Sequence, residues 1–102
     1  MSSLLDTSEK EVIRQEILST CNMAAPNGAD TKVLKTAVKH LGYDLDETAI
    51  SREVVYLRQK GLVETREIGN SRLGISRTIV SVTAYGMDYL EGNTADNPGI
   101  GE

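Results

Sequence analysis

Gly61 divides the sequence into two regimes of hydrophobic spacing, and that division sets the class of fold. Before it, apolar residues return every three or four positions in three successive stretches, the mark of amphipathic helices. After it come two β-rich stretches, LVETREI and RTIVSVT, joined by GNSRLGIS with its turn-forming glycines. Ser8 followed by Glu11 matches a capping box, and Ile13, Ile17, Leu18, Cys21 and Ala24 then mark a first helix over residues 9–25, ended by Pro26-Asn27-Gly28. A second helix starts at Asp30 or Thr31 and ends at Gly42. It sets Val33, Leu34, Ala37, Val38 and Leu41 on an apolar face and Lys32, Lys35 and Lys39 on a basic one. A third, capped by Asp44 or Asp46, turns Ile50, Val54 and Leu57 inward. Residues 62–83 are then expected to form a two-stranded ribbon with a loop at its tip. After Thr83, a capping residue, AYGMDYLEG predicts a short terminal helix carrying Met87 and Leu90, which Gly86 should weaken.

A chain of 102 residues with 39% apolar content supports one core. With no Trp or Phe and four Tyr, that core must come mainly from aliphatic side chains. The predicted class is mainly α with a small β-hairpin (α+β), in the order α-α-α-β-β-short α. Residues 1–7 read as an N-terminal extension, 8–91 as the domain, and 92–102 (GNTADNPGIGE) as a disordered acidic tail. One cysteine, Cys21, excludes an intrachain disulfide, and with His40 it makes no ligand set for zinc, so no metal and no cofactor are expected. No apolar run approaches the roughly 18 residues of a membrane span, and MSSLLDTSEK lacks the basic start of a signal peptide. A soluble cytoplasmic protein is the expectation.

Two stretches bring a family into view. TAISREVVYLRQKGLVETREI holds the pattern S-R-x-x-x-x-L-x-x-x-G-L-V and is similar to the third helix and first wing strand of MarR-type and related winged helix-turn-helix regulators; VTAYGMDYLEG resembles the strand exit of the same families. The LGYD connection and the GLV helix end also resemble small winged-helix proteins of Mu-like phages. The likeness spans residues 8–91, although the connection 42–46 is longer than the turn of the simplest helix-turn-helix. It implies a double-stranded DNA-binding protein, a small transcription regulator, with the third helix (residues 47–60) in the major groove and the wing (62–83) on the backbone or minor groove. It also implies a homodimer, for which the first helix, Met87 with Leu90, and Leu4 with Leu5 are candidate contacts.

A net charge of −4 opposes DNA binding, but it is unevenly distributed. Residues 1–29 carry −2 and 84–102 carry −4, which leaves +2 on 30–83. Screening over about 8 Å lets a basic patch act despite a distant acidic tail. On the resemblance, Thr48, Ser51, Arg52 and Val55 face base edges or phosphates, with Arg52 the foremost candidate for a guanine contact. Arg72 and Arg77 of the wing, with Lys32, Lys35 and Lys39, are candidates for the backbone. Each has a plainer reading: Arg52 pairs with Glu47 or Glu53, wing arginines keep an exposed ribbon soluble, and the lysines are a solvated face. Glu47 and Glu53 flank the reading face and oppose phosphate. Cys21 reads as a small core residue, His40 as a cap or surface residue, and the four tyrosines as packing residues. No nucleophile and base stand at a supporting spacing, so no enzyme is expected. The competing function is a winged-helix protein-interaction module, a phage or prophage accessory protein that does not touch DNA.

Overall fold

A computed structural model describes residues 6–70 and 72–92, with backbone alone at Asn70 and Ile75. Residues 1–5 of the expected extension, with Leu4 and Leu5, and residues 93–102 of the expected tail lie outside the described residues, while Asp6 and Thr7 belong to the cap and start of the first helix. In chain order the elements are α1 (Thr7–Met23), β1 (Ala29–Asp30), α2 (Thr31–His40), α3 (Glu47–Gln59), β2 (Val63–Asn70), β3 (Ile75–Val82) and α4 (Ala84–Leu90). They make a small α+β domain in which an antiparallel sheet of order β1-β3-β2 lies against the helices. Among the described residues no helix is long and apolar enough to cross a membrane.

Each helix starts on a side-chain cap that accepts an otherwise orphaned amide. Asp30 accepts from the Val33 amide at 2.9 Å, Asp46 from Ala49 at 2.8 Å and Thr83 from Gly86 at 3.0 Å. The first helix departs from expectation. Its capping box is Asp6 with Glu9, at 2.8 and 3.2 Å, so the helix begins two residues earlier than Ser8 and Glu11 suggested and ends at Met23. Both pairs fit the template, and the earlier one extends the helix. At the other ends, α2 and α3 close alike: the amides of Tyr43 and Leu62 donate to the carbonyls of Val38 and Leu57, with Gly42 and Gly61 between. That turn delivers Leu62 and Val63 straight into the core.

The core is aliphatic: Ile13, Ile17, Leu18, Leu34, Val38, Ile50, Leu57, Leu62 and Val80 are all fully buried. Two residues assigned to the apolar face of α2 do not join it. Val33 is 49% exposed and Leu41 45%, because the face that packs is the narrower arc centred on Leu34 and Val38. A second unexpected feature is β1, which pairs Ala29 with Val80 and Asp30 with Ile79 along the free edge of β3. Two residues are too short for hydrophobic alternation to reveal. Gly28, just before them, lies so close to β3 that a Cβ there would meet Ser81 Oγ at 2.6 Å. The ribbon strands also run further than expected, leaving residues 71–74 as their connection.

Gly86 does the opposite of what its helix propensity suggests. Thr83 donates from its backbone to the Leu62 carbonyl at 3.0 Å and from its hydroxyl to the Gly61 carbonyl at 2.7 Å, pinning α4 onto the α3–β2 junction. The helix sits there so tightly that a Cβ on Gly86 would collide with the Leu62 carbonyl oxygen and stand 2.7 Å from Val82 Cγ2. Gly86→Ala is therefore expected to destabilise by about 1–3 kcal/mol despite alanine's better propensity, lowering Tm by roughly 4–8 °C per kcal/mol in a thermal melt. Cys21 offers a second check. Burial pushes its thiol up to about 12, so at pH 8 Ellman's reagent should react with the folded chain only at the rate of unfolding.

Candidate nucleic-acid interface

The orientation of α3 about its own axis decides which residues it offers to a ligand. Ile50, Glu53, Val54 and Leu57 follow the i, i+3, i+4, i+7 pattern, and all four are buried. Glu53 is thus an inward residue, which corrects its placement beside the reading face. Its Oε1 accepts from Arg14 Nε of α1 at 2.7 Å, with both side chains nearly buried (12% and 11% exposed). The Arg14 guanidinium also lies over the Tyr56 ring, 3.6 Å from its centroid, and Lys60 approaches the same ring at 5.5 Å. No sequence motif marks Arg14, Glu53 and Tyr56 as a group. The signal was there in the spacing, since Arg14, Leu18 and Cys21 share one arc of α1 just as Glu53 shares that of Ile50 and Leu57 on α3.

With Glu53 turned in, the opposite face of α3 holds Thr48, Ser51, Arg52 and Val55, all exposed. The Arg52 guanidinium forms no ion pair or hydrogen bond among the described residues, so neither Glu47 nor Glu53 neutralises it. Ser51 stands at the rim of a cleft of about 180 Å³ where three elements meet: Asp30, Thr31 and Lys32 from the start of α2, Glu47 and Ser51 from α3, and Ser76, Arg77 and Thr78 from β3. Asp30 is shared between two duties there, capping α2 and standing 3.9 Å from Arg77 Nη1. The cleft holds two cations and two carboxylates among hydroxyls, and Glu47 remains exposed at its edge.

Of the expected backbone-contacting residues, Lys32 and Arg77 are brought together beside Ser51. Lys35 and Lys39 are not; they continue along α2, Lys35 half-buried and Lys39 exposed. Arg72 is exposed in the connection at the far end of the ribbon. From residue 66 to 77 every residue whose burial is described is exposed, and of these Ser76 and Arg77 still meet α2 and α3 at the cleft. Compared with protein-family models and with curated proteins, the chain finds no match in either.

Two substitutions separate the inner and outer faces of α3. Glu53→Ala leaves a nearly buried guanidinium without its carboxylate and should cost about 3–5 kcal/mol in chemical denaturation. Arg52→Ala, on the exposed face, should stay within about 0.5 kcal/mol of the parent. Equal effects of the two would contradict the assigned rotation of the helix.

Proposed function

We propose that the chain is a winged helix-turn-helix domain that binds double-stranded DNA and serves as a small transcription regulator. In this reading α3 lies in the major groove and the β2–β3 ribbon is the wing. The observation that carries it is the outward face of α3: Thr48, Ser51, Arg52 and Val55 are exposed there, the Arg52 guanidinium has no partner among the described residues, and the adjoining cleft brings Lys32 and Arg77 to Ser51 with Glu47 and Asp30 as the opposing carboxylates. Arg52 takes the base-reading role, and a bidentate contact to guanine contributes about 1–3 kcal/mol of discrimination. Lys32, Arg77 and Arg72 take phosphates, with Lys35 and Lys39 further along the backbone. A pair of chains reading two half-sites sets its two α3 helices about 34 Å apart. Tyr85 and Met87, exposed on α4, are the candidate dimer contacts there, while Leu90 packs against the core.

A second reading has its own support. Val33 and Ala37, with Thr36 and His40, line an open groove along α2 that suits an apolar segment of a protein partner. Fluorescence anisotropy with pooled random duplexes at low and moderate salt separates the two. DNA binding predicts that log affinity falls against log salt with a slope of about −4 to −5 for four to six phosphate contacts, and that Arg72→Ala with Arg77→Ala makes the slope shallower by about 2. Arg52→Ala should weaken binding without so large a change in slope. No binding at low salt, or the same binding in every variant, favours the protein-interaction module.

A further inference from the structure

The outer half of the ribbon has an unusual composition for an exposed arm. Residues 68–77 contain Arg72 and Arg77 and no carboxylate; the nearest acids are Glu67, bonded to Thr78 one rung in, and Asp30 beside Arg77, so the tip around Arg72 is the part without one. At the tip, between Arg72 and Gly74, stands Leu73, 68% exposed. Ile68, on the same arm, is 42% exposed, and its cross-strand partner is Arg77, so apolar and cationic groups alternate on one surface. A charged or polar tip would serve solubility better, since exposed ribbon edges are ordinarily kept charged. The strands are eight residues each, and the exposed part of β2 from residue 66 to 70 gives a reach of about 15 Å at the rise of an antiparallel strand. An apolar side chain held at the end of such an arm beside an arginine fits one occupant in particular. Base pairs present an apolar stack between two rows of phosphate, and leucine is among the residues that wedge into it from the minor groove.

We infer that Leu73 is a wedge that enters the minor groove, partly unstacks a base step and kinks the duplex, with Arg72 beside it holding a flanking phosphate. The inference rests on the DNA-binding reading but adds a deformation that the reading itself does not require. The kink bends the duplex by about 20–90° toward the major groove, which wraps it onto the face of α3. Pyrimidine–purine steps, which unstack most easily, are the preferred places of entry.

The test uses the full chain with a duplex of about 16 base pairs, end-labelled for resonance energy transfer and carrying 2-aminopurine at a central TA step. Both signals are read at saturating protein, so that differences in affinity do not enter. The parent chain should raise transfer and 2-aminopurine fluorescence together. Leu73→Ser should bind yet lose both gains, and Leu73→Met should keep both. Because the side chain is exposed, both variants should melt as the parent does. A bound duplex that stays straight and stacked, or a serine variant that bends it fully, overturns the wedge and leaves DNA binding standing. Failure of the parent chain to bind any duplex at low salt overturns both. Vesicles of phosphatidylcholine with phosphatidylserine complete the set: Leu73-dependent binding to them in place of the duplex assigns the tip to a lipid surface and overturns the wedge.

Discussion

The ion pair between Arg14 and Glu53 is the contact on which the use of α3 depends. An apolar seam alone tolerates some rotation of a helix, since neighbouring aliphatic side chains substitute for one another at little cost. A carboxylate and a guanidinium held at 2.7 Å with little access to water do not. Turning α3 outward would strand one or both charges, so the pair acts as an index mark between α1 and α3. The Tyr56 ring narrows the choice further, because the guanidinium is held over its face, 3.6 Å from the centroid. Everything that α3 presents to solvent follows from that setting.

Removing Glu53 from the surface also changes how the acidic balance of the chain is understood. The net charge of −4 belongs largely to segments at either end, and one of the seven carboxylates in the middle is consumed internally. Asp30 and Asp46 are committed to helix amides, and Asp30 further stands near Arg77. Their charge is placed where helix N-termini favour it. What remains opposed to the cations of the cleft is chiefly Glu47, which is exposed and weakly coupled to its surroundings.

Much of this architecture was legible in the sequence, for reasons that vary by element. The three long helices announced themselves through spacing and through Gly42 and Gly61, since caps and apolar periodicity are local signals. The ribbon did so through β-branched runs on both sides of a glycine-containing loop. What stayed hidden required knowledge of distant partners. β1 exists because Gly28 brings the chain against β3, and two residues hold too little pattern to show it. Gly86 looked like a defect when judged by helix propensity, but it is the residue that lets α4 touch the Leu62 carbonyl. At the candidate interface, the outward set of Thr48, Ser51, Arg52 and Val55 was recoverable from helical geometry alone. The partnership of Lys32 with Arg77 was not, because it depends on the sheet edge and on where α2 begins.

The short pairing of β1 with β3 has a mechanical consequence. As far out as Ile79, the partner of Asp30, the middle strand is gripped along both edges; past that point it keeps only β2 as a neighbour. A beam clamped in this way flexes outboard of its clamp. One tie crosses the clamp: Arg77, outboard of Ile79, stands 3.9 Å from Asp30, the residue that also caps α2. Bending beyond Arg77 is left to the two ribbon strands, whereas movement at Arg77 is shared with the first turn of α2.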